Sequence, residues 1–167
     1  MIRSTLDTHE FERLYAAHAK PLLAFLAYRT GDRALSEDLV ADTFERVLRT
    51  RRPFDPRRGS RKTWLYTIAL NVLRDHLRRS AAHERTIDRA FAGVGHAVGP
   101  RDLEAIEERD ALHRALASLT AEEQEAVALR YGADLTVNEI AKVTHEKPTT
   151  IHGRVYRALS KLKATLE

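Results

Sequence analysis

Cysteine is absent from the 167 residues, so disulfides and thiolate metal sites are excluded. Proline and glycine are scarce, at 5 and 7 copies, and strand-like alternation of apolar and polar residues is missing. An all-α chain is expected. No apolar run approaches the ~20 residues that a membrane span needs. The N-terminus, MIRSTLDTHE, has no apolar signal segment. These absences point to a cytoplasmic protein without membrane insertion. The eight histidines never pair at i, i+4, and His145-Glu146 does not continue to H-E-x-x-H because residue 149 is Thr. Neither a nucleophile–base arrangement nor a metal cluster is legible, so no catalytic residue, metal or cofactor is expected. Gly93-x-Gly95-x-x-x-Gly99 lacks the preceding strand and the Lys-Ser/Thr of a phosphate loop.

What is present is an uneven charge. Residues 1–50 carry 7 basic and 8 acidic groups, residues 51–89 carry 11 and 4, and residues 90–167 carry 10 and 12. The positive block centres on SRKTWLYTIALNVLRDHLRR, Ser60 to Arg79. Trp64, Leu65, Ile68, Val72, Leu73 and Leu77 make an apolar stripe at helical spacing, and Ser60 is placed to cap the helix. The other face carries Arg61, Lys62, Tyr66, Asn71, Arg74, His76, Arg78 and Arg79. Such a helix suits either a nucleic-acid surface or plain solvent.

Residues 7–29 have a helical pattern interrupted by Pro21, so two helices meet there or one is kinked. Asp32 is a candidate N-cap for a helix over residues 33–50, with Leu35, Leu39, Val40, Phe44, Val47 and Leu48 facing the core. Asp38, Asp42 and Glu45 line up on its outside. That row can dock a basic partner or, equally, pair with Arg46 and Arg49. RRPFDPRRG, residues 51–59, is a basic loop; residues 81–103 read as a flexible linker between two small helical domains, 1–80 and 104–167.

In the second domain, a helix over residues 104–118 precedes two capping boxes, Thr120-x-x-Glu123 and Thr136-x-x-Glu139. The first opens a helix to about Tyr131, the second a short helix through Val143. After a turn over Thr144 to Lys147, Pro148 begins a last helix with Ile151, Val155, Leu159, Leu162 and Leu166 on its apolar face. Short helix, tight turn and longer helix is the helix-turn-helix pattern. Residues 148–166 hold Arg154, Arg157, Lys161 and Lys163 and no acid, while 101–139 hold 4 basic and 10 acidic groups. Thr149, Thr150, His152 and Gly153 lead the helix at the end that meets base edges.

Together these stretches resemble an extracytoplasmic-function sigma factor, a dissociable promoter-recognition subunit of bacterial RNA polymerase. FERLYAAHAKPLLAFL, SEDLVADTFERVL and TWLYTIALNVLRDHLRR are similar to sigma region 2; LASLTAEEQEAVALRYGADLTVNEIAKV with the last helix is similar to region 4. The resemblance implies that Asp38, Leu39, Asp42, Phe44 and Glu45 bind core polymerase. Ala41 stands where relatives often carry Gln. It implies that Arg61, Trp64, Tyr66, Asn71, Arg74, Arg78 and Arg79 meet the proximal promoter element, Asn71 at a flipped-out non-template base. Leu70 replaces a common Arg or Lys. Thr149, Thr150, His152, Gly153, Arg154, Tyr156, Arg157 and Lys161 would meet the distal element. The turn departs from the family, with His145, Glu146 and Lys147 where Gly, an apolar residue and Pro are usual. The implied partners are core RNA polymerase, promoter DNA and an anti-sigma factor. A stand-alone helix-turn-helix regulator would explain the C-terminal half but leave the acidic row and the Ser60–Arg79 helix without a role.

Overall fold

A computed structural model describes residues 6–50, 54–84 and 111–166, and these form helices with no strand among them. Helix α1 is Thr8–Thr30, α2 is Arg33–Arg49 and α3 is Arg61–Glu84. A short stretch at residues 111–117, here α4, leads into α5 (Ala121–Val127), a π-helical turn (Ala128–Gly132), α6 (Val137–Thr144) and α7 (Pro148–Leu166). The 81–103 linker lies outside the described residues from 85 onward, as does the start of the helix expected at 104.

Local chemistry explains most boundaries. Asp7 and Glu10 form a reciprocal capping box at the start of α1, with Glu10 N donating to Asp7 Oδ1 at 2.7 Å. The helix runs through Pro21 as one element and ends at Gly31, whose φ of 68° is the left-handed conformation that glycine adopts without strain. The Asp32 carboxylate accepts from Leu35 N at 3.0 Å and opens α2. Ser60 Oγ accepts from Thr63 N at 3.1 Å and opens α3, which runs a full turn past Arg79. Thr120–Glu123 and Thr136–Glu139 both close as capping boxes.

Two expectations need correction. The helix from Thr120 does not reach Tyr131 as one α-helix: after Val127 the backbone widens, with Ala133 N donating to Ala128 O at 3.0 Å, five residues back. The stripe of α7 is only partly buried; Ile151 and Val155 are inside, whereas Leu159 and Leu166 are exposed. Ala158 takes the buried place the longer side chain was expected to fill.

α1, α2 and α3 pack into one bundle; α5, α6 and α7 form the second unit. The units are not separate. α6 packs on α3 and the π turn packs on α1, so Leu22, Phe25, Tyr66 and Leu70 share one apolar cluster with Leu129, Leu135, Ile140 and Ile151. Burial of apolar surface from both halves in one cluster favours their association.

Candidate nucleic-acid and polymerase interfaces

On α2 the packing separates the expected contact residues into two groups. Leu39 and Phe44 face inward, at 2% and 4% exposure, and Phe44 stacks edge-on against Phe11 at 5.9 Å. They hold the helix in place rather than meeting a partner directly. Asp38, Asp42 and Glu45 face solvent. Glu45 pairs with Arg49 at 2.7 Å, while Arg46 turns away to Asp75 on α3 at 2.9 Å. Among the described residues neither Asp38 nor Asp42 has an ion-pair partner in the fold. Both line an open groove between α2 and α3 with Leu35, Leu39, His76, Arg79 and Ser80. Two unneutralised carboxylates on a rigid, capped helix are a fixed negative surface for a basic partner.

The expected proximal-element residues on α3 fare unequally. Asn71 and Arg79 are exposed at the surface. Arg61 pairs with Glu10 at 2.5 Å and lies 5.0 Å over the Phe54 ring, whose centroid is 5.9 Å from that of Trp64. Phe54 thus ties the basic loop to the start of α3. Arg78 joins Arg46 on Asp75; Arg46's hydrogen bond, then the neighbouring arginine charges, hold that carboxyl below its ordinary range. Tyr66 is fully buried, 5.5 Å from Phe25 in a T-shaped pair, and its hydroxyl has no hydrogen-bond partner. Burial pushes that hydroxyl up to about 12. Arg74 donates to Glu125 of α5 at 3.0 Å.

On α7, Thr149, Thr150, His152 and Tyr156 are exposed, and Tyr156 stands out at 69%. The basic residues are largely engaged within the fold. Arg154 grips Glu146 with both terminal nitrogens, one bond at 2.8 Å, and this partner raises its pKa above the ordinary value. Lys161 reaches both oxygens of Glu123, at 3.0 and 2.8 Å, and Arg157 approaches the same carboxylate at 3.9 Å. Glu123 is 4% exposed, and the Lys161 bond followed by the Thr120 backbone holds it below its ordinary range. Gly153 leaves space for the Arg157 guanidinium: a Cβ there would stand 3.2 Å from its Nη1. The turn before α7 uses His145 in the left-handed region, φ 59° and ψ 36°, where the family's usual Gly would be unstrained.

Glu123, Glu125, Glu146 and Arg29 are the residues that sequence reasoning did not assign to the site. Glu123 was visible as a cap, but its pairing with Lys161 spans 38 residues and leaves no local pattern. One cue was available for the covered face of α3: Leu70 at a position that relatives fill with a cation.

The fold is therefore that of a two-part helical DNA-binding protein, with a helix-turn-helix at its C-terminal end. Residues 14–83 match the family Sigma-70 region 2 and residues 109–162 match Sigma-70, region 4. The RNA polymerase sigma factor CarQ of Myxococcus xanthus is 34% identical over 161 residues, covering 93% of this chain and 88% of its own. The ECF RNA polymerase sigma factor BldN of Streptomyces coelicolor is 33% identical over 163 residues, and the chain spans 61% of its length. The sigma factor RpoE, solved in complex with the anti-sigma factor NepR from Bartonella quintana, overlays with a TM-score of 0.76 at 24% identity, over 95% of this chain and 98% of that one. The chain belongs to the extracytoplasmic-function sigma factors of bacterial RNA polymerase. Among the described residues no helix is long and apolar enough to cross a membrane.

Proposed function

We propose that the chain binds core RNA polymerase in the cytoplasm and directs promoter-specific initiation, residues 1–80 reading and opening the proximal element and residues 104–167 holding the distal one. It is not an enzyme; its work is positioning. The observation that carries this is the exposed, unneutralised Asp38–Asp42 pair on a helix of region 2, followed in the same chain by a region 4 helix-turn-helix. A stand-alone regulator has no use for the first. Leu39 and Phe44 serve the polymerase contact from beneath, as the packing that sets the carboxylates.

At the proximal element, Arg61, Arg78 and Arg79 position the backbone while exposed Asn71 captures an unstacked base, offsetting an unpairing cost of a few kcal/mol. Trp64 sets the entry to α3 through Phe54. Tyr66 and Arg74 join only where the C-terminal half has moved off. At the distal element, Thr149, Thr150, His152 and Tyr156 face the bases or phosphates directly. Gly153, Arg154, Arg157 and Lys161 first hold the helix, Arg157 being the most free to swing to a phosphate. An anti-sigma factor is a further proposed partner, since solved relatives of this fold are bound to NepR and to the cytosolic domain of CnrY.

Reconstitution with core polymerase on genomic DNA, with transcript starts mapped, tests the reading. Specific starts are expected; neither a complex with core nor specific starts would overturn it. Asp38→Arg with Asp42→Arg abolishes core binding and leaves the helical circular dichroism unchanged. Asn71→Ala weakens open-complex formation more than core binding.

A further inference from the structure

Lys62, Tyr66, Leu70 and Arg74 lie four residues apart and so share one face of α3. The C-terminal half touches both ends of that row. Lys62 Nζ donates to Asp134 O at 3.3 Å, and Arg74 Nη2 donates to Glu125 Oε1 at 3.0 Å. Between them Tyr66 and Leu70 have no exposed surface. From α1, Arg29 converges on the same carboxylate: its Nη2 is 3.8 Å from Glu125 Oε2, and its Nη1 donates to Ala121 O at 3.4 Å and Gln124 Oε1 at 3.5 Å. Glu125 thus sits between two guanidiniums from region 2, one of them at 9% exposure. That is the placement of a backbone phosphate oxygen on an arginine-lined DNA surface.

We infer that the C-terminal half is a built-in cover for the promoter-reading face of α3, with the Glu125 carboxylate standing in for a DNA phosphate between Arg29 and Arg74. The inference rests on the promoter-reading role given above to α3. Closure leaves Asn71 at the rim and hides Tyr66, Leu70 and Arg74, so the free chain cannot seat a strand along the whole helix. Leu70 suits the cover, since a cation there would be buried against the apolar cluster at a heavy desolvation cost. The closure is poised for release: the Arg29 Nε is buried without a hydrogen-bond partner, and an unmade bond of this kind favours rehydration. Core polymerase, by holding regions 2 and 4 apart, would convert the closed chain to the reading one. Only the bound factor then exposes its full proximal-element surface.

The lack of native cysteine makes the test direct. Lys62→Cys with Asp134→Cys, joined by a short cleavable bis-maleimide, locks the cover shut in the full chain. Locked protein with core is expected to initiate no better than core alone, and cleavage of the linker to restore initiation to the level of the same variant never cross-linked. Initiation by the locked protein equal to that of the released protein would overturn the inference. A released protein that also fails with core would instead refute the sigma reading beneath it. Glu125→Arg provides the second arm, placing three cations together. Its radius of gyration in small-angle X-ray scattering is expected to rise with helical circular dichroism unchanged; an unchanged radius would equally overturn the inference.

Discussion

Glu123→Gln is the sharpest perturbation of the distal unit. The amide keeps an oxygen for Thr120 N and so preserves the cap, but the charge that draws Lys161 and Arg157 inward is gone. Hydrogen bonds to charged groups contribute about 1.5–3 kcal/mol and neutral ones about 0.5–1.5. Lys161 is 44% exposed on its side chain, so water screens part of the pair and the net loss comes to about 1–2 kcal/mol. The sign with pH follows from the depressed carboxyl. Its stabilisation is present above the ordinary value of 4.5 and is lost as pH falls through the lower folded-state value. Urea denaturation of the full chain should therefore show the variant weaker at neutral pH and converging with the parent in acid. Release of Lys161 and Arg157 also adds cations to the DNA face. Each phosphate newly neutralised steepens the dependence of log K on log salt by about 0.9. Binding to a distal-element duplex is expected to steepen by one such increment. Equal stability at pH 7, or an unchanged salt slope, would refute the idea that Glu123 restrains these side chains.

Tyr66→Phe removes a buried hydroxyl with no partner and should stabilise the chain by about 1 kcal/mol, read by chemical denaturation. Because burial raises the Tyr66 hydroxyl from 10.0 to about 12, the parent loses stability as pH climbs through that window, and the Phe variant should lose less. His145→Gly relieves the left-handed turn before α7 and should gain about 1 kcal/mol in the same assay, with distal-element binding retained. Glu146→Arg with Arg154→Glu keeps the fork in reverse. Near-parental thermal stability is expected for the pair and a loss for each single change; equal loss in all three would mean that the fork does not brace the turn.

Much of this molecule is local in origin. The four side-chain caps at Asp7, Asp32, Thr120 and Thr136 each act within three residues, and the sequence exposes that spacing directly. The exposed acidic row on α2 follows from helical period alone. So does the order of a region 2 pattern before a helix-turn-helix, which was enough to identify the family. The unresolved choice at Pro21 was tertiary: packing of α1 along α2 carries the helix through a residue that lacks an N–H. Likewise, helical spacing placed Leu39 and Phe44 on the core side, whereas the family motif alone counted them as contacts.

What sequence could not determine is which charges meet. By composition α7 is purely basic, yet the fold brings Glu123 and Glu146 against it, because charge segregated along the chain is re-mixed when helices pack. Arg74 reads as one more phosphate contact until Glu125, 51 residues away, is found on it. Tyr66 reads as a surface aromatic on the polar side of an amphipathic helix. A helix packed on both faces has no polar side there, and only the arrival of α6 over α3 creates the second face. Local spacing wrote the helices, the caps and the family; through-space packing of two distant halves decided which of its DNA-reading residues the free protein shows.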